Sequence, residues 1–205
     1  MKTFGRQRRR QQFSSNRAWL RPIRRLLSAG VTFWVVCGSL YAQQSRQTEY
    51  QVKAAYLYNF GKFISWREEA SSGENSLFVC VLGQDPFGKT LDEVLTGASW
   101  DGKGVTAKRI RRIEDASECR VLFISSSEGE QMKNILAVAG KLPILTVSDA
   151  PEFARRGGAI GFVLSDNRVR FEVNLNAAHR AGLSLSSQLL KVAVRVRGGP
   201  QPEER

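Results

Sequence analysis

The chain has a single histidine, His179, and no Gly-x-Ser-x-Gly stretch. A hydrolase that pairs a nucleophile with an imidazole base therefore has little to be built from. Cysteine is scarce too: Cys37, Cys80 and Cys119 are all there are in 205 residues. One histidine and so few thiols do not supply the three or four ligands of a zinc centre. His179 stands beside Arg180 and reads as a surface residue. There are no internal repeats and no low-complexity tracts. Residues 1–42 contain no Asp or Glu at all.

That last absence explains the charge. A formal net charge of +12 invites a nucleic-acid partner. Nine of the 31 Lys and Arg lie in residues 1–42, which leaves 22 against 19 Asp and Glu, a net of +3. The basicity belongs mostly to the leader, and no nucleic-acid partner is expected. The leader has the plan of a secretory signal. Arg8, Arg9, Arg10, Arg21, Arg24 and Arg25 precede an apolar run from Leu26 to Tyr41, and Leu40-Tyr41-Ala42 is an acceptable cleavage site. The expectation is export to the periplasm with residues 1–42 removed; a retained anchor is the alternative, the run being just short of a bilayer span. Cys37 leaves with the signal. Cys80 and Cys119 remain, and an oxidising compartment favours a disulfide between them. Two buried thiols are the alternative, since both lie in or beside apolar strands.

After a linker at 43–48, an α/β domain is expected over 49–197 and a disordered tail over 198–205. Thr48-Glu49-Tyr50-Gln51 fits a capping box and starts a helix to about Ile64. Val52, Ala55, Tyr56, Phe60 and Phe63 share one face of it, with Asn59 in the middle. Asn59 reads either as a hydrogen-bonded structural amide or as a pocket residue. Trp66 marks the helix exit. Leu77–Leu82, Val105–Ile110, Val121–Ser125 and Ile144–Val147 read as strands. Helices are expected from Asp85-Pro86 to Leu95, over Glu128–Val138 and over Pro151–Arg156. An apolar run from Ala159 to Leu164, the turn Ser165-Asp166-Asn167 and an alternating stretch from Arg168 to Asn174 read as a β-hairpin. Ser186–Val194 is a closing helix. The fold class is α/β: a three-layer sandwich with a mainly parallel sheet, an antiparallel C-terminal hairpin and helices on both faces.

Three stretches invite chemistry. Gly83 to Thr90 fits G-x-x-x-x-G-K-[ST] between a strand and a helix. Pro86 removes a backbone donor and Asp85 brings a negative charge to where phosphates would sit, so a phosphate-loop hydrolase is the disfavoured reading. Lys108, Arg109, Arg111 and Arg112 form a basic run beside Glu114, Asp115 and Glu118; it is an anion site or a solvated strand edge. On the hairpin, Val169, Phe171 and Val173 are core. Arg170, Glu172 and Asn174 face the other way, either as an outward row with Asn174 near the cap of the next segment or as a recognition face with Asn59 or Lys62.

Four blocks, in order, carry a resemblance. They are Tyr50-Gln51-Val52-Lys53-Ala54-Ala55-Tyr56-Leu57-Tyr58-Asn59-Phe60 through Lys62-Phe63 and Trp66; Gly83 with Asp85-Pro86-Phe87-Gly88; Gly157-Gly158 with Ile160-Gly161-Phe162; and Arg170-Phe171-Glu172-Val173-Asn174. From about Glu49 to Val194 the chain resembles the YfiR-like periplasmic proteins. The resemblance implies a dimeric periplasmic repressor rather than an enzyme, with no cofactor. It would bind the periplasmic sensor region of an inner-membrane diguanylate cyclase and hold down its activity. An OmpA/Pal-like outer-membrane lipoprotein would sequester the repressor and let cyclic-di-GMP rise, favouring biofilm. Cys80 and Cys119 look like the family's bridging pair. Ala154 and Gly161 stand where some members carry a second cysteine pair, so redox tuning by a second bridge is not expected. The resemblance also admits small ligands, aromatic amino acids or guanine nucleotides. The candidate contact residues for partner or ligand are Tyr56, Asn59, Lys62, Trp66, Arg170, Glu172 and Asn174.

Overall fold

The computed structural model describes residues 47–66 and 76–199. The expectations for the leader, most of the linker and the tail from residue 200 lie outside the described residues. In chain order the elements are α1 (47–62), β1 (Ile64–Trp66), β2 (Ser76–Leu82), α2 (Lys89–Leu95), β3 (Ser99–Trp100), β4 (Lys103–Ile110) and a 3-10 segment (Ile113–Glu118). Then come β5 (Cys119–Ile124), a 3-10 turn (Ser126–Glu128), α3 (Met132–Ala139), β6 (Leu145–Ser148), β7 (Ile160–Ser165) and β8 (Arg168–Asn174). Last are α4 (Leu175–Arg180), β9 (Leu183–Leu185), α5 (Ser187–Val192) and β10 (Arg195–Arg197).

One sheet has the order β10-β8-β7-β6-β5-β2-β4-β3. Its middle, β4-β2-β5-β6-β7, is parallel, and β7–β8 is the expected antiparallel hairpin. The inner strands are apolar on both sides because both sides are covered. Val79, Val81, Val121, Phe123, Leu145 and Val147 point into one core with Leu57, Phe60 and Leu91. Cys80, Leu82, Leu122 and Ile124 point into the other with Met132, Ile135 and Phe153. That is the three-layer α/β sandwich the alternation of elements implies.

The hairpin loop is two residues long, and Asp166 and Asn167 both take positive φ, 50° and 58°. That is the primed turn whose twist matches a hairpin, and Asp and Asn tolerate it better than other side chains. Cys80 and Cys119 are joined, tying β2 to its neighbour β5 across a sequence separation of 39. On the chain-entropy account such a loop contributes about 4 kcal/mol.

Several local expectations need correcting. Thr48 is already helical, so it does not cap α1. The helix ends at residue 62, and Ile64 and Trp66 belong to β1, paired with Leu185 and Leu183. The buried face of α1 is Lys53, Ala54, Leu57, Phe60 and Gly61, while Val52 is 41% exposed and Asn59 is exposed. The true face is rotated by about one residue from the expected one, and Asn59 is no buried amide. Asp85-Pro86 does not open a helix: Asp85 accepts from the Phe87 amide at 2.8 Å in a tight turn, and α2 starts only at Lys89. Pro151–Arg156 is a run of turns rather than a helix. The short helix α4, directly after Asn174, has no counterpart among the expected elements. Beyond the hairpin the sheet continues, because β10 adds in parallel beside β8.

Candidate functional site

The charged centre of the domain lies where α1 crosses the C-terminal ends of the parallel strands. Lys53 is only 4% exposed. Its ammonium reaches Glu49 Oε1 at 2.6 Å and Asp149 Oδ2 at 2.7 Å, and stands 4.4 Å from the centre of the Tyr50 ring. The Tyr50 hydroxyl donates to the same Asp149 oxygen at 2.8 Å. Glu49, Tyr50 and Lys53 are brought together by helical spacing, and Asp149 by the end of β6. A buried ammonium without partners costs several kcal/mol, so this set locks the start of α1 to the sheet. Around it lies a cavity of about 470 Å³, also lined by Ser126, Pro151, Phe162, Val163 and Leu164. The carboxyl ends of parallel strands are where α/β sheets present their ligand crevices. Sequence reasoning misses Lys53 because lysine is read as solvent-facing. The available signal is its position four residues before Leu57, on the stripe that continues to Phe60 and Gly61.

The candidate contact residues fall into separate places. Tyr56 is half-buried and packs against Phe60, Phe162 and Phe171 at ring distances of 5.7, 5.9 and 5.5 Å. Asn59 and Lys62 are exposed on α1, with the Lys62 ammonium 4.2 Å from the Tyr58 ring centre. Tyr58, Trp100 and Trp66 follow as a stack, 6.2 and 6.1 Å between successive rings. Trp100 also donates from Nε1 to the Tyr58 carbonyl at 3.0 Å.

Across the sheet, Glu172 is held by Arg195 at 3.1 Å and Arg197 at 3.8 Å, both on β10. Asn174 accepts from the Ala177 amide at 3.0 Å, capping α4, and donates to the Ala154 carbonyl at 2.7 Å. Arg170 is exposed. Phe171 packs under Tyr56, so the alternate residues Arg170, Glu172 and Asn174 lie on the opposite face of the sheet from α1. The structure therefore does not join them with Asn59 or Lys62 into one recognition face.

The Gly83–Thr90 loop is organised from within. Arg109 reaches Asp85 at 2.9 Å, both Asp92 oxygens at 2.6 and 2.7 Å, and the Gly88 carbonyl at 2.6 Å. These hydrogen bonds and the guanidinium charge hold the Asp92 carboxyl below its ordinary range, and the Asp92 carboxylate raises Arg109 above its own. Two carboxylates and a sequestered carbonyl stand where a phosphate loop would aim amides. In the rest of the basic run, Lys108 pairs with Glu118 and Arg112 with Asp115. His179 is exposed in the last turn of α4. Among the described residues no group of three or more His, Cys, Asp or Glu is placed to hold a metal ion, and no helix is long and apolar enough to cross a membrane.

Ala154 and Gly161 face one another. A β-carbon built on Gly161 lies 3.7 Å from that of Ala154, the separation found across disulfides.

A family model described as YfiR/HmsC-like matches residues 50–194. A search of curated proteins finds no match. Among solved structures, a conserved domain protein from Vibrio cholerae O1 biovar El Tor strain N16961 aligns with a TM-score of 0.44 and 12% identity, covering 63% of this chain and 57% of that one. The ABC domain from Streptococcus pneumoniae in complex with L-Trp aligns with the same score and identity, covering 58% and 55%. The chain thus spans a little over half of each.

Proposed function

Because the chain belongs to the YfiR/HmsC-like family, whose members are periplasmic regulators of cyclic-di-GMP signalling rather than enzymes, we propose that it represses a membrane-bound diguanylate cyclase by binding that enzyme's periplasmic sensor region. The family match over residues 50–194 is the observation that carries this reading. The bridge between Cys80 and Cys119 supports an oxidising compartment. The mechanism is linkage: the repressor binds one conformation of the sensor region and shifts its equilibrium toward the inactive state. An OmpA/Pal-like outer-membrane lipoprotein competes for the free repressor, which acts as a homodimer. Exposed Asn59 and Lys62 on α1 and exposed Arg170 on β8 are the proposed contacts, one group on each face of the sheet.

The test is calorimetric titration of the domain over residues 43–205 with the periplasmic sensor region of a membrane-bound diguanylate cyclase. Saturable binding that weakens on Lys62→Glu or Arg170→Glu supports the reading. A folded, dimeric domain that does not bind rejects it. A second reading, a small-ligand sensor, is favoured by the cavity at Lys53.

A further inference from the structure

We propose that the cavity between α1 and the ends of β5, β6 and β7 binds a small aromatic or aliphatic amine in its cationic form. This rests on the small-ligand reading and is independent of the cyclase partner.

The charge on the cavity wall decides the ligand class. Its ionisable lining residues are Glu49, Lys53 and Asp149, apart from the Tyr50 phenol. Two carboxylates face one ammonium, so the wall carries a net negative charge. The lining cation is already committed: Lys53 is buried against Glu49 Oε1 and Asp149 Oδ2. A ligand phosphate or carboxylate would meet two carboxylates and a lysine with little charge left to offer. A ligand ammonium meets a wall on which carboxylates outnumber ammonium groups, and charge-assisted hydrogen bonds to carboxylates are strong.

The remaining wall suits the body of such a molecule. Phe162 lines the cavity beside Tyr50, whose ring already carries the Lys53 ammonium 4.4 Å from its centre. Pro151, Val163 and Leu164 are aliphatic, and Leu164 is 61% exposed at the rim. The lining mixes polar and apolar surface in similar amounts, and about 470 Å³ lies within the usual range of small-molecule sites. Occupation would bear on α1, because Glu49, Tyr50 and Lys53 all come from its first turns. The ligand therefore joins the contacts that fix this helix to the sheet.

The experiment is a titration of the ligand-free domain with three probes of one skeleton: phenethylamine, L-phenylalanine and phenylacetate. The amine is expected to bind, the amino acid at least tenfold more weakly, and the acid not at all. Leu164→Arg puts a cation over the mouth on an exposed side chain and is expected to cut amine affinity at least tenfold without lowering Tm. Glu49→Gln is the second variant and is expected to weaken the amine in the same direction. If the amine fails to bind, if the acid or the amino acid binds as well as the amine, or if neither variant weakens it, the proposal is wrong. Sensor-region binding is measured on the ligand-free protein, so either idea can fail without the other.

Discussion

The indole of Trp100 occupies the space that a side chain on residue 61 would need. A β-carbon built on Gly61 would stand 2.1 Å from Cε2 of Trp100 and 2.2 Å from Cζ2. This glycine sits inside α1, where alanine would normally gain about 1 kcal/mol. Here the gain is outweighed. Gly61→Ala must push Trp100 out of its stack between Tyr58 and Trp66 and off the Tyr58 carbonyl. A net loss of about 2 kcal/mol is expected from overpacking. Urea denaturation followed by tryptophan fluorescence checks it, and a variant as stable as the parent would contradict the contact.

The ammonium of Lys53 gives an order of effects rather than a single value. Asp149→Ala leaves the buried cation with Glu49 alone and should cost about 3 kcal/mol. Lys53→Met strands the Asp149 carboxylate, only 11% exposed, beside Glu49, and should cost about as much, whereas Lys53→Met with Asp149→Ala removes both buried charges and should cost clearly less than the sum of the single losses. Chemical denaturation of the three variants decides the matter, and additive losses would mean that the ion pair does not lock α1 to the sheet.

Asp92 and Arg109 make a pH prediction. The folded carboxyl titrates below its unfolded value, because Arg109 hydrogen-bonds the ionised form. The stabilisation is thus fully present above the unfolded carboxylate range, near pH 4, and is lost as pH falls through the folded value. The group is on the surface, so the effect at neutral pH is under about 1 kcal/mol. Asp92→Asn should lower stability at pH 7 and leave it nearly unchanged below the folded value. An equal loss at both pH values would assign the effect to something other than this charge.

Facing Ala154 and Gly161 are set to accept a second bridge. The double variant Ala154→Cys, Gly161→Cys should oxidise spontaneously, close a short loop and add about 2 kcal/mol on the entropy account. Thiol counting by mass spectrometry with and without reductant, alongside Tm, reads this directly. Two free thiols in the oxidised, folded protein would show that the register of β7 against the preceding turns is wrong.

How much of the fold and the site is legible in the sequence depends on which residues carry the signal. The hairpin is legible because Val169, Phe171 and Val173 alternate with charges and an Asp-Asn pair sits at the turn. The central strands are legible because they are apolar throughout and bounded by turn residues. The α1 face is easily misread because apolar residues surround most of that helix, so the pattern alone neither excludes Val52 nor includes Lys53. Asp85-Pro86 carries a helix-start signal that a local turn satisfies just as well. Asn174 carries the signal of a cap, but its hold on Ala154 depends on a contact 20 residues away. Glu172 reads as an outward-facing acid, since nothing local announces that the last strand returns two arginines to it. The family blocks are legible in the sequence, whereas the cavity is not, since its wall comes from four distant stretches.

The bridge between β2 and β5 has a consequence for damage. The segment it encloses carries α2, β3 and β4, and β4 lies on the far side of β2 from β5. A protease that nicks the chain anywhere between Cys80 and Cys119 therefore releases nothing: the two fragments stay covalently joined and β4 stays paired to β2. In a compartment without thiol reductants, such a cut shows only as a mass increase of one water, and the nicked domain can go on acting as one molecule.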